Sequence, residues 1–261
     1  MVTNKYKASV LSFIVGDYEH IHEIEYKTPE FQYVMVTDNR SITSSTWEVK
    51  YVDNPHPEDP FYLCWKIRYN PWDYVDSDVV IKIDGSMQVT GDLNDLLFYY
   101  NNRNFDMMVE MHPSRMILFD EYLAWVQQRN YPVEQANKVL NIINANGYDV
   151  KNYRGLYQFN FMVQRKNDLN LKFNEICYNT LHEIAPEGKQ VDRLDQTVGS
   201  FIINKYFTMM NILPVSQNVA LSGRYFKWFP HGSDTPFHNN GYEYCQPYLF
   251  NQPVNTIYVM E

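Results

Sequence analysis

Short, mostly apolar runs that stop at acidic or glycine turns restrict this chain more than any other feature. Ala8–Val15 is β-branched and aromatic and ends at Gly16-Asp17. Phe31–Thr37 (FQYVMVT) ends at Asp38-Asn39, and Asp78–Ile83 (DVVIKI) at Asp84-Gly85-Ser86. Phe105–Met111 (FDMMVEM) stops at His112-Pro113, and Tyr157–Gln164 (YQFNFMVQ) reads as a fifth such run. Segments with so little polar alternation are buried on both faces, as strands of a parallel sheet are. Helical stretches lie between and after them. Asp92–Asn101 has Asp92 as N-cap and Leu93, Leu96, Leu97 and Tyr100 at helical spacing. Asp120–Asn130, Pro132–Asn146, Leu171–Ile184 and Asp195–Asn211 follow, the second ended by Asn146-Gly147. Strands that alternate with helices predict an α/β fold with a mainly parallel central sheet flanked by helices.

Composition narrows the function classes. Hydrophobic residues make up 45% of the 261, enough for a large core and far from a disordered chain. The net charge of −9 argues against general binding of nucleic acid, while leaving room for one local basic pocket. Cys64, Cys177 and Cys245 are odd in number and far apart, which points to buried thiols rather than disulfides or a structural zinc site. No run of 18 apolar residues exists, and the N-terminal apolar stretch is too short for a signal peptide. A cytoplasmic location without a transmembrane segment is the expectation.

In an open α/β sheet, ligands sit beyond the carboxyl ends of the strands, where the strand order switches. The turns after the predicted strands are therefore the first place to look for chemistry, and three of these four carry Asp: Asp17, Asp38 and Asp84. Asp also suits turns for local reasons, so their shared edge matters more than any one of them. Asp84-Gly85-Ser86 is the centre of the pattern. A buried strand delivers Asp84, Gly85 is expected to permit a sharp turn, and Ser86 adds a hydroxyl. Hard oxygens of this kind hold a divalent cation, which in turn binds a diphosphate. No GxGxxG or GxxxxGK[ST] loop is present, which argues against dinucleotide-binding and P-loop proteins.

The ordered series YVMVTDN, WKIR, DVVIKIDGS, EMHPSR, a helix with Glu121, GLYQFNFMVQR and VDRLDQ resembles nucleotide-sugar glycosyltransferases of the GT-A fold. It is most similar to the former unknown-function glycosyltransferase family of plant pectin and mucilage synthesis and many bacteria, and more distantly to glycogenin-like retaining transferases. The likeness spans residues 8–212 and implies a single GT-A-like domain over 1–261. Residues 1–115 would form the nucleotide-sugar and metal half, 116–213 the acceptor side, and 214–261 an irregular, aromatic-rich segment covering the cleft. The resemblance implies donor contacts from Thr37, Asp38, Lys66, Arg68, Asp84, Gly85, Ser86, His112 and Arg115. It implies an Mn²⁺ or Mg²⁺ ion on Asp84 and Ser86, where Ser stands in place of the second Asp of the usual motif. His231, or else His238, would complete that ion. Asp195 and Gln196 match the late Asp-Gln expected beside the transferred sugar, and Asp195 also suits a helix start.

The expected reaction moves a sugar from a nucleoside diphosphate sugar, UDP by family analogy, to a glycan hydroxyl. For inversion, Asp195 or Glu121 would take the acceptor proton; for retention, Gln196 would sit beside the oxocarbenium-like centre. Trp125, Tyr153, Tyr157, Tyr225, Trp228, Phe229, Phe237 and Tyr242 are candidates to stack on a sugar or base. Two other classes compete. A sugar-nucleotide nucleotidyltransferase would need a glycine-rich basic signature after the first strand, where this chain has Gly16-Asp17-Tyr18-Glu19. A non-catalytic carbohydrate-binding protein is opposed by the Asp84 turn and by Asp195-Gln196.

Overall fold

A computed structural model describes residues 5–112, 115–128, 133–151, 155–185, 194–207, 209–216 and 223–236. The chain runs β1 (Ala8–Ile14), β2 (Phe31–Thr37), β3 (Glu48–Tyr51), α1 (Pro60–Tyr69), β4 (Val79–Ile83), β5 (Met87–Val89), α2 (Asn94–Asn102) and β6 (Met107–Met111). It continues through α3 (Leu118–Gln128), α4 (Val133–Ala145), β7 (Tyr157–Arg165), α5 (Asp168–Ile184), α6 (Leu194–Tyr206), β8 (Ile212–Val215) and β9 (Phe226–Trp228). Seven strands form one sheet in the order β3-β2-β1-β4-β7-β6-β8. β1, β2, β3 and β4 run parallel, as do β6 and β8. β7 runs against both of its neighbours, so the fifth predicted strand is inserted in the opposite direction.

Both faces of the sheet are covered, which is why β1, β2 and β4 carry so little polar alternation. On β1, Val10 and Ile14 pack with Leu93 and with Leu96 and Tyr100 of α2, while Leu11 and Phe13 pack with Leu63 and Ile67 of α1. The sequence reading passed over α1, and the reason is physical. Leu63 and Ile67 face the sheet, whereas Trp65 and Tyr69 face the core shared with α5 and α6. Each pair is four residues apart and suits a helix face, but the two together alternate like a strand. Its start is well marked: Asp59 accepts the Phe61 N–H at 3.2 Å, and Pro60 occupies the first turn. Helix α2 begins two residues later than expected, although Asp92 still accepts the Asn94 N–H at 2.9 Å.

Where an irregular segment was expected after Pro214, the described residues include strand structure. β8 closes one edge of the large sheet, and β9 pairs antiparallel with β5 just after the Asp84 turn. Cys177 is buried and Cys64 partly so, both as free thiols, while Cys245 lies outside the described residues. No helix among the described residues is long and apolar enough to cross a membrane.

Helix α6 lies against β7 through Gly199. A Cβ there would sit 2.4 and 2.5 Å from ring atoms of the Phe159 side chain. Gly199→Ala is therefore expected to cost about 1–3 kcal/mol through overpacking. Thermal unfolding monitored by circular dichroism should show a Tm lower by roughly 2–4 °C for each kcal/mol lost.

Candidate active site

Because β1, β2 and β4 are parallel, the turns after them share one edge of the sheet. The order β3-β2-β1-β4 reverses between β1 and β4, so the switch in strand order falls between the Gly16-Asp17 and Asp84-Gly85-Ser86 turns. Gly85 is where the Asp84 turn meets the end of β1. Its φ is not in the left-handed region, contrary to the sharp-turn expectation; its role is close approach. A Cβ on Gly85 would lie 2.7 Å from the Phe13 carbonyl oxygen and 2.7 Å from Ile14 Cγ1.

Arg68 is the hub of this edge. Its Nη2 lies 2.6 Å from Asp84 Oδ1 and its Nη1 2.7 Å from Asp195 Oδ2. Nη1 also donates to the Phe159 carbonyl at 2.7 Å, and the guanidinium rests over the Phe13 ring. Helix α1 delivers Arg68 in its last turn, β4 delivers Asp84, and α6 delivers Asp195 in its first turn. Both helix positions suit the helix dipole. Burial opposes the charge of Arg68, but Asp195 and Asp84 outweigh it and raise the guanidinium's pKa further. Gln196 follows Asp195, is buried, and has an Nε2 with no hydrogen-bond partner among the described residues.

The other expected donor residues fall into separate roles. Asp38 Oδ1 accepts the Gly16 N–H at 2.7 Å and Oδ2 accepts Asn54 Nδ2 at 3.0 Å, tying the β1 and β2 turns together. Thr37 is fully buried and its hydroxyl accepts the Asn39 N–H, which shapes the turn. Lys66 is exposed, turned about 200° around α1 from Arg68. It does not join the cluster. A groove of about 300 Å³ beside these turns is lined by Asp17, Glu19, His20, Asn39 and Ser41 among others.

His112 and Arg115 form a unit of their own at the end of β6. His112 Nδ1 accepts the Arg115 N–H at 3.0 Å, and Arg115 Nε lies 2.5 Å from Glu121 Oε2. Glu121, one of the two candidate bases, is fully buried in this pair.

At the metal-type turn, Asp84 offers a carboxylate. Ser86 offers a buried hydroxyl with no hydrogen-bond partner among the described residues. Two hard oxygens fit a small divalent cation that takes its other ligands from diphosphate and water. His231 instead holds Glu19, its Nδ1 3.2 Å from Glu19 Oε2, and His238 lies outside the described residues. Among the expected stacking residues, Tyr157, Tyr225 and Phe229 are core, and Trp228 packs against it. The Trp125 side chain, Tyr153, Phe237 and Tyr242 lie outside the described residues.

Two buried ionisable groups behind the site escaped the sequence reading, although each is a lone charge in an apolar strand. Lys82 donates to the Arg68 carbonyl at 3.0 Å and to Gln164 Oε1 at 2.8 Å; burial, then the Arg68 charge, holds its pKa well below the usual range. Glu110 sits at a register break in β6 and is fully buried. Burial raises its carboxyl well above the usual range, with Asn160 opposing and the Asp84 charge adding to the shift.

No protein-family model matches the chain, and no curated protein matches it in sequence. The functional reading rests on the geometry and on the motif order.

Glu110 makes a pH prediction. A carboxyl whose native pKa is raised keeps a proton that the unfolded chain releases. Its contribution to stability is thus fully present below the usual carboxylate range and is lost as pH rises toward the native value. Glu110→Gln should flatten that decline and raise the Tm at neutral pH, by about 2–4 °C per kcal/mol recovered. A Tm–pH series on both proteins measures it.

Proposed function

We propose that this chain is a glycosyltransferase that moves a sugar from a nucleoside diphosphate sugar, UDP-linked in the first instance, to a glycan or other hydroxyl acceptor. The observation that carries the reading is the Arg68 bridge between Asp84 and Asp195. It sets one fixed cation and two carboxylates beside the switch in strand order, where a ligand of an α/β sheet belongs.

The roles follow from position. The groove beside Asp17, Asn39 and Ser41 takes the nucleoside, and Asp38 keeps its walls together. The diphosphate meets Arg68, whose charge stabilises the leaving group as the glycosidic C–O bond breaks. Asp84 and Ser86 would hold a divalent cation, which supplies further neutralisation of the diphosphate. The acceptor hydroxyl attacks the anomeric carbon and loses its proton to a carboxylate. Both candidate carboxylates pair with an arginine, but Glu121 is fully buried whereas the Asp195 side chain is 14% exposed, which favours Asp195 for that task. The Gln196 amide, whose Nε2 has no hydrogen-bond partner among the described residues, would hydrogen-bond the transferred sugar.

A donor-hydrolysis screen over UDP- and GDP-sugars with Mn²⁺ or Mg²⁺ tests the reading. At least one UDP-sugar is expected to release UDP, and Arg68→Met to lower kcat/KM by about 10²–10³-fold, as for loss of one preorganised charge-stabilising group. Turnover of no donor, with sugar binding retained, would replace this reading with a carbohydrate-binding protein.

A further inference from the structure

A second cluster lies on the loop that follows β1, away from the Arg68 bridge. Glu19, His20 and His22 each point a ligand atom into a space where all three lie within 4.8 Å of one another. Within the group, His20 Nδ1 lies 3.3 Å from Glu19 Oε1, close to the roughly 3.3–3.5 Å that ligand atoms keep from each other around a tetrahedral zinc with bonds of about 2.0–2.2 Å. From beyond β9, His231 stands behind Glu19, its Nδ1 3.2 Å from Glu19 Oε2.

Three further observations point to a ligand. The Glu19 carboxylate is fully buried, yet among the described residues its hydrogen-bond and ion-pair partners are imidazoles and backbone N–H groups, with no lysine or arginine. A buried carboxylate of this kind calls for a cation. His22 is more than nine-tenths buried, stacked on Phe229 at 4.0 Å, and its Nε2 has no hydrogen-bond partner among the described residues. Finally, His20 Nε2 lies 3.1 Å from Asp234 Oδ1. A metal-bound histidine commonly gives its other ring N–H to a carboxylate in this way, which fixes its tautomer and orientation.

We propose that Glu19, His20 and His22 bind a zinc-class divalent cation, with Asp234 orienting His20 and His231 holding the Glu19 carboxylate. Two imidazoles and one carboxylate suit zinc better than magnesium, which prefers oxygen ligands. The ion would fix the β1 loop, and through Asp234 and His231 that loop would be tied to the segment after β9. That segment already reaches the Asp84 turn through the Phe229 N–H, which donates to the Ser86 carbonyl at 2.9 Å. Its ligands are distinct from the oxygens of Asp84 and Ser86; Glu19 and His20 also line the groove given to the nucleoside, but zinc uptake does not rest on the transferase reading.

The test is calorimetric titration of the full chain with zinc chloride after metal removal by a chelator and its exchange out. Wild type should take up one equivalent, with a Tm that rises on saturation. Asp84→Ala should bind zinc as wild type does. His22→Ala and His231→Ala should each raise the Kd at least tenfold, and Asp234→Asn about 10–100-fold, as measured for other outer carboxylates. His231 is 54% exposed, so its variant keeps the test decisive if His22→Ala fails to fold. No saturable zinc, unchanged affinity in His231→Ala, or loss of zinc in Asp84→Ala would overturn the site. None of these readouts depends on donor hydrolysis.

Discussion

Everything at the candidate site depends on one guanidinium held between two carboxylates. Arg68 is largely buried, and a buried charge is tolerated only when it is paired and hydrogen-bonded. Here the partners come from three elements far apart in sequence: Asp84 after β4, Asp195 in α6 and the Phe159 carbonyl of β7. A planar guanidinium can serve all three at once, where a lysine ammonium would act as a single point charge. The bridge thereby holds α1 and α6 in place over the carboxyl edge of the sheet. It also offsets part of the repulsion between the two carboxylates, which together carry more charge than the guanidinium neutralises.

Around the bridge, close packing substitutes for conformational freedom. Gly85 brings the Asp84 turn against Phe13 and Ile14, and Gly199 lets α6 settle on Phe159. The buried Lys82 ties the Arg68 carbonyl to Gln164, whose amide goes on to Asn170 and Asn174 of α5. A buried polar network of this kind rigidifies the rear of the site, although Asn174 Nδ2 has no hydrogen-bond partner among the described residues.

Much of this was legible in the sequence, for identifiable reasons. β1, β2 and β4 announced themselves because burial on both faces leaves an apolar run with sharp ends. Asp84, Arg68 and Asp195 were legible as candidates through their motif order, though nothing in their spacing said that they touch. Helix α1 was hidden by serving two cores at once. The reversed direction of β7 is invisible to any local pattern, since the same apolar residues suit either direction. The aromatic-rich C-terminal stretch read as a cleft cover, yet Tyr225, Phe226 and Phe229 are core. Their burial follows from the pairing of β9 with β5, a contact between segments more than a hundred residues apart. Glu110 and Lys82 did leave a signal, a single charge in an otherwise apolar strand.

The central claim is that a nucleoside diphosphate binds at the Arg68 bridge. A crystal structure of the full chain grown with UDP and Mn²⁺ tests it most directly. The account predicts the diphosphate within hydrogen-bonding distance of the Arg68 guanidinium and beside Asp84, with the nucleoside in the groove next to Asp17 and Asn39. A nucleotide bound elsewhere, or crystals in which Arg68 pairs with neither Asp84 nor Asp195, would contradict it.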